Sequence, residues 1–304
     1  MQRSMLARAP QDVDLREKER ALVEWLGERG SVLVGFSGGV DSTYLACVAR
    51  EALGPQHILA VIGRSASYPE VQWRTAREVA ARFGVPVLEI ETDELNDPQY
   101  AANPTNRCYF CKGKLWSRLV PIARARGLST IVDGTNADDL ADYRPGARAA
   151  AEHGVLSPLA LLGFRKTDIR KLSRARAIPT WQQPSSPCLS SRIPYGTPVT
   201  LARLERIEAA EAALRALGVT GDLRVRYHGE LARVELDRDE LQKWLAAERQ
   251  RAVYAAVRGA GFVRVALDLD GFRSGSLNVL AGVVRASAVT PNATAAADTA
   301  APAA

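Results

Sequence analysis

Short apolar blocks alternate with longer amphipathic ones along the first half of the chain. Residues 31–36, 57–62, 85–90 and 130–132 have the length and aliphatic content of buried strands, whereas residues 43–51, 70–83 and 112–126 space their apolar positions as helices do. Strands that alternate with helices predict a parallel sheet covered on both faces, so the first part of the chain is expected to be α/β. A stretch rich in Pro and Ser, residues 183–195, interrupts the pattern and predicts a structured loop at a domain boundary. Beyond it, residues 201–217 read as a helix, 223–227 and 232–236 as half-buried strands, 238–258 as helix and 262–269 as a last strand. This predicts a small α+β domain. The expected layout is a flexible N-terminus (1–14), a first domain (15–185), a second domain (186–280) and a disordered tail (281–304) of Ala, Thr, Pro and Val.

Composition narrows the classes. The chain has 304 residues, 47% of them hydrophobic and 24% charged, enough for a sizeable core. No apolar run approaches the ~20 residues of a membrane-spanning helix. The first fourteen residues mix charged and single apolar positions, unlike a secretory signal, so a cytoplasmic protein is expected. The net charge of +6 suits an anionic partner, nucleotide, phosphorylated metabolite or RNA, without choosing among them. The three histidines, His57, His153 and His228, share no metal-binding spacing.

The strongest chemical signal is Ser37-Gly38-Gly39-Val40-Asp41-Ser42, between a predicted strand and a predicted helix. Glycines let backbone amides turn inward, and a helix N-terminus adds partial positive charge, which together suit a phosphate. Ser37 and Ser42 add hydroxyl donors. Asp41 in an anion site makes sense if Mg2+ accompanies the phosphates. Asp133-Gly134-Thr135-Asn136-Ala137-Asp138-Asp139 follows a predicted strand, at the edge where α/β sheets place ligands, and is expected to line the same site.

Cysteines form the second signal. Cys108 and Cys111 are spaced as Cys-x-x-Cys, and Cys188 sits in the Pro/Ser loop. Three thiolates can hold a [4Fe-4S] cluster with one iron open, or a zinc with a fourth ligand, and a catalytic dithiol is a third reading. Arg107 and Lys112 are expected to lower the thiol pKa values. Cys47, on the helix after the glycine loop, reads as a small core residue.

The hexapeptide resembles the PP-loop of enzymes that cleave ATP between the α and β phosphates, a class that includes GMP synthetase, NAD synthetase and tRNA thiolation enzymes. Ser157-Pro158-Leu159 with Lys166 and Ile169-Arg170 resembles the second phosphate-binding element of that class, whose lysine neutralises the leaving pyrophosphate. The segment from Pro184 through Cys188, Ser191 and Arg192 to Gly196 closely resembles the signature of the LarE family. Arg224-Val225-Arg226-Tyr227-His228, Ala232-Arg233-Val234-Glu235 and the run from Gly271 to Asn278 are similar to that family's C-terminal domain.

The LarE resemblance implies an ATP-dependent sulfur transferase that adenylates a carboxylate of a pyridinium biscarboxylate mononucleotide and converts it to a thiocarboxylate for the nickel-pincer nucleotide cofactor of lactate racemase. It implies Ser37, Gly38, Gly39, Asp41, Ser42, Gly134 and Lys166 around ATP and Mg2+, and Ser191, Arg192, Arg224 and Arg226 around the mononucleotide, with Glu235 at a polar or metal-binding position. Cys188 either gives up its own sulfur in a single turnover or joins Cys108 and Cys111 in holding a [4Fe-4S] cluster. The pair Cys108 and Cys111 favours the cluster. A sulfide donor, the other enzymes of cofactor assembly and a homo-oligomer are the partners implied; nucleic acid is not among them. A tRNA thiolation enzyme and a non-catalytic ATP sensor are the competing readings.

Overall fold

The computed structural model describes residues 10–141, 144–185, 187–273 and 282. The expected tail, the run from Ser274 to Asn278, Ser186 and the first nine residues lie outside these, Gly282 excepted. The chain forms two compact units, Met1–Ser191 with Val199–Leu204, and Arg192–Pro198 with Glu205–Ala304. Cys188 thus falls in the first unit.

The first unit opens with helix α1 (Pro10–Arg29), an element not foreseen from the sequence, which begins within the segment expected to be flexible. Its elements then follow in order: β1 (Val32–Gly35), α2 (Val40–Leu53), β2 (Ile58–Arg64), α3 (Glu70–Arg82), β3 (Val87–Glu91), α4 (Pro98–Ala101), α5 (Arg107–Ala125), β4 (Thr130–Val132), α6 (Pro145–Glu152), α7 (Pro158–Leu161) and α8 (Lys166–Ala175). The four strands pair in parallel in the order β3-β2-β1-β4, as the alternating pattern predicts.

Side chains alternate across this sheet because strand periodicity is two. Val32, Val34, Ile58, Ala60, Ile62 and Val132 join a core with Leu22 and Leu26 of α1, Tyr44 and Leu45 of α2 and Ile169 of α8. Leu33, Leu59, Val61 and Ile131 face the other way, onto Trp116 and Leu119 of α5 and Ala149 of α6. Both faces are covered, which is why the strands read as continuous apolar runs. The chain builds outward from β1 through β2 to β3, then returns to the other side of β1 with β4. The loops after β1 and β4 therefore meet at the reversal of strand order, where open α/β sheets bind ligands.

In the second unit, helix α9 (Leu201–Ala216), which starts in the first unit and belongs to the second from Glu205, precedes β5 (Leu223–His228), β6 (Leu231–Leu236), α10 (Arg238–Trp244), α11 (Ala247–Gly259) and β7 (Arg264–Leu267). Strands β5 and β6 are antiparallel, and β7 pairs with β6 in parallel. The single helix expected over 238–258 is two, broken at Leu245 and Ala246. No helix among the described residues is long and apolar enough to cross a membrane.

Candidate functional site

The loop after β1 is built by its glycines. Gly38 has φ +65°, and a Cβ there would lie 2.5 Å from Ala76 Cβ, so glycine meets both the backbone and the space requirement. Gly39 caps α2, and Thr43 N–H returns to the Gly39 carbonyl at 3.0 Å. The hydroxyls of Ser37 and Ser42 lie 3.1 Å apart, and Ser37 N–H donates to Ser42 Oγ at 3.3 Å. Gly134 brings the loop after β4 against this turn; a Cβ there would sit 2.7 Å from Ser42 N. The result is a turn of backbone amides and two hydroxyls at the positive end of a 14-residue helix.

Two groups not singled out from the sequence fix this turn. Gln72 Nε2 and Tyr68 Oη both donate to the Ser37 carbonyl, at 2.8 and 3.0 Å. Burial, with Glu89 nearby, raises the Tyr68 pKa and keeps its hydroxyl a donor. Gln72 is held in turn by Gln183 Nε2 at 2.9 Å. These contacts join residues 31 to 111 positions apart, and no local pattern announces them.

Lys166 starts α8 with its Nζ 2.6 Å from Asp41 Oδ2, and its own amide donates to Asp138 Oδ2 at 2.8 Å. The second Asp41 oxygen, Oδ1, is buried without a hydrogen-bond partner. Asp133 is engaged differently: Ser157 Oγ donates to its Oδ1 at 2.7 Å and Thr135 Oγ1 to its Oδ2 at 2.9 Å, so its carboxylate ties the loop after β4 to Ser157. Asp139 pairs with Arg144, yet burial prevails and its carboxyl pKa is raised. Among these carboxylates, Asp41 has the orphaned oxygen beside the turn that suits a hard cation such as Mg2+.

The cysteines come together in the same unit. Helix α5 begins at Arg107, earlier than the sequence pattern suggests, so Cys108 and Cys111 lie one turn apart on one helical face. Cys188 is close enough to raise the pKa of both, and Cys108 raises that of Cys111. Burial is the first cause at each thiol, even though Cys108 is exposed by surface area; Arg107 and Lys112 pull the other way at Cys108 and Lys112 does at Cys111, and they lose. The expectation that these cations lower the pKa values of Cys108 and Cys111 is therefore corrected: both are raised. Among the described residues no three of His, Cys, Asp and Glu are grouped as a ready-made metal site. Cys47 is buried in the α2 core as expected.

The loop that carries Cys188 is anchored by its neighbours. Leu189 N–H donates to the Ser67 carbonyl at 2.7 Å, Ser190 Oγ lies 2.6 Å from Tyr100 Oη, and buried Arg107 donates to the Ser190 carbonyl at 3.0 Å. Ser191 N–H turns back to the Cys188 carbonyl at 2.9 Å.

In the second unit the three arginines singled out from the sequence are buried in ion contacts. Arg192 makes a bidentate pair with Glu211, at 2.9 and 3.0 Å. Arg226 donates twice to Glu235 Oε2, at 3.0 and 2.8 Å, and the other Glu235 oxygen lies 3.1 Å from Arg233. Arg224 donates to the Leu223 carbonyl at 2.7 Å, stacks over Phe272 at 4.7 Å and lies 3.7 Å from Asp222; burial first, then Arg192, lowers its pKa to about 10. Arg224 and Arg226 share a face of β5, as alternation requires, opposite Glu235 and Arg233 of β6.

Comparison with known proteins agrees with this arrangement. The NAD synthase family model matches residues 20–187. An uncharacterised protein of Synechocystis is 41% identical over 264 residues, 87% of this chain and 98% of that protein. The pyridinium-3,5-bisthiocarboxylic acid mononucleotide synthase of Lactiplantibacillus plantarum is 36% identical over 264 residues, 87% of this chain and 95% of its own. The mouse cytoplasmic tRNA 2-thiolation protein 1 is 32% identical over 146 residues, only 41% of this chain. The chain belongs to the LarE family of ATP-utilising sulfurtransferases, with a NAD synthase-type PP-loop domain as its first unit.

Proposed function

We propose that this chain uses ATP to adenylate a carboxylate of a pyridinium biscarboxylate mononucleotide and then replaces the activated oxygen with sulfur, making a thiocarboxylate for a nickel-pincer nucleotide. The observation that carries the reading is the phosphate turn closed by Asp41 and Lys166, in the same unit as Cys108, Cys111 and Cys188. An ATP sensor would have no use for the thiols, and the resemblance to a tRNA thiolation protein spans less than half of the chain.

The amides of the Ser37–Ser42 turn and its hydroxyls hold the phosphates, Asp41 offers its orphaned oxygen to Mg2+, and Lys166 turns to the β-phosphate as charge builds on the leaving group. The substrate carboxylate oxygen attacks the α-phosphorus, the bond to the bridging oxygen breaks, and pyrophosphate leaves. A sulfur nucleophile then adds to the acyl carbon and AMP departs with the former carboxylate oxygen. Cys108, Cys111 and Cys188 would hold a [4Fe-4S] cluster, which supplies a site for the inorganic sulfide to be transferred. Thiolates are the soft donors that iron-sulfur clusters take. Within the second unit, Arg192, Arg224 and Arg226 are the guanidinium groups for the mononucleotide phosphate.

The test is anaerobic purification with iron and sulfide quantitation and an absorption spectrum, for the intact chain and for Cys108→Ala, Cys111→Ala and Cys188→Ala, alongside pyrophosphate release with substrate. About four irons per chain, lost in every variant, support the cluster. An iron-free protein that converts substrate once and loses roughly 34 Da at Cys188 establishes the sacrificial route instead. Absence of substrate-dependent pyrophosphate release overturns the reading altogether.

A further inference from the structure

Glu94, in a 3-10 turn (Glu94–Asn96) after β3, is a carboxylate out of place by ordinary folding rules. It is 1% exposed, and among the described residues no cation pairs with it. Its Oε1 accepts from Ser67 Oγ at 2.9 Å, while Oε2 is buried without a hydrogen-bond partner. A carboxylate buried this way is costly, so its retention asks for a reason. Its surroundings supply one: it is the largest electrostatic influence on Cys111 after burial itself.

Two hydrogen bonds lead from Glu94 to the loop that carries Cys188, one at each end of Ser67. Ser67 Oγ donates to Glu94 and also lies 3.0 Å from Ser65 Oγ. Separately, Tyr100 Oη and Ser190 Oγ share a hydrogen bond at 2.6 Å. Ser67, Tyr100 and Ser190 are each no more than 2% exposed, so water does not compete for these donors. Ser190 lies two residues after Cys188. The Ser67 carbonyl holds the amide of the intervening Leu189, so Ser67 joins Glu94 to that loop.

We propose that Glu94 is a positioning residue for Cys188, acting through Ser67, whose carbonyl holds the Leu189 amide, with Tyr100 and Ser190 as a second anchor of the same loop. What the positioning is for rests on the sulfur-transfer reading; the positioning itself does not.

The test follows the rate at which each cysteine of the full-length, metal-free protein is alkylated by iodoacetamide under anaerobic native conditions, read by peptide mass spectrometry. Neither ATP nor substrate is needed, so failure here is distinct from failure of the proposed reaction. Glu94→Gln, Ser67→Ala and Tyr100→Phe are each expected to change the Cys188 rate about tenfold while buried Cys47 stays protected. Ser67→Thr, which keeps the hydroxyl, is expected to restore the original rate. Because Glu94 and Ser67 act in one line, Glu94→Gln with Ser67→Ala should do no more than the larger single change. Should Glu94→Gln also expose Cys47, Tyr100→Phe and the Ser67 pair decide. Cys188 rates within twofold of the original in these variants, or effects that multiply in the double variant, would overturn the proposal.

Discussion

Lys166 Nζ contacts Asp41 Oδ2 at 2.6 Å, joining the first turns of α2 and α8 across 125 residues. The contact holds the lysine beside the phosphate turn, where a leaving pyrophosphate would need it. Lys166→Ala should slow substrate-dependent pyrophosphate release by about 10²- to 10³-fold, the usual scale for losing one charge-stabilising group, with a smaller loss in ATP affinity. Asp41→Asn should weaken the dependence on Mg2+ rather than remove nucleotide binding. Pyrophosphate assays over a Mg2+ titration read both, and equal loss of affinity and rate in Lys166→Ala would assign the lysine to ground-state binding.

How much of this could be read from the chain follows from how local each signal is. The phosphate turn was legible because glycines and hydroxyls within six residues make it, and the sheet was legible because both its faces are apolar. The start of α5 was not, since Asn106 precedes it without a side-chain cap bond, so the cysteine pair falls before the expected helix although it lies in the first two turns. The break at Leu245 and Ala246 carries no Gly or Pro and interrupts no apolar pattern. Tyr68, Gln72, Glu94 and Tyr100 act through contacts made only on folding. Asp97-Pro98, a helix-start signal whose Asp97 accepts from Gln99 N–H, was the one hint that a helix presents Tyr100. The thiol pKa values were misjudged because flanking charges are visible in sequence and burial is not.

Gly134→Ala tests the closeness of the two loops. Its Cβ would meet Ser42 N at 2.7 Å and Ser42 Cα at 2.9 Å, and both are backbone atoms that cannot swing aside. Overpacking of this kind costs about 1–3 kcal/mol. The turn must move to relieve it, so ATP affinity should fall more than tenfold while the unfolding midpoint drops modestly. Calorimetric titration with a non-hydrolysable ATP analogue checks the first and urea unfolding the second; unchanged affinity would mean that the turn is not the nucleotide site.

Cys47 predicts an alkaline effect whose sign is fixed. Burial, with Glu51 adding and Arg176 opposing, pushes its thiol from 9.0 up to about 12. An acid whose folded pKa is raised binds its proton more tightly when folded, so its contribution is full below the unfolded value and is lost as pH rises through the folded one. Between about pH 9 and pH 12 the intact protein should lose stability relative to Cys47→Ala by about 1.4 kcal/mol per pH unit at most. Urea unfolding of both proteins at pH 7.5 and pH 10.5 makes the comparison, and parallel losses would show that this thiol does not titrate as described.

Glu235 and Arg226 separate stability from recognition in the second unit. Glu235 is 1% exposed and pairs with Arg226 and Arg233, so Glu235→Ala removes the buried counter-charge that Arg226 faces, while Arg233 keeps Asp268. Breaking one side of such a pair costs about 3–5 kcal/mol, whereas replacing both partners with apolar residues of similar size is often neutral. Glu235→Ala should therefore destabilise strongly, and the double change Arg226→Met with Glu235→Met should recover most of the loss. If Arg226 also holds the mononucleotide phosphate, the recovered double variant will be folded yet bind substrate at least tenfold more weakly. A folded double variant with unchanged substrate affinity would confine Arg226 to an architectural role.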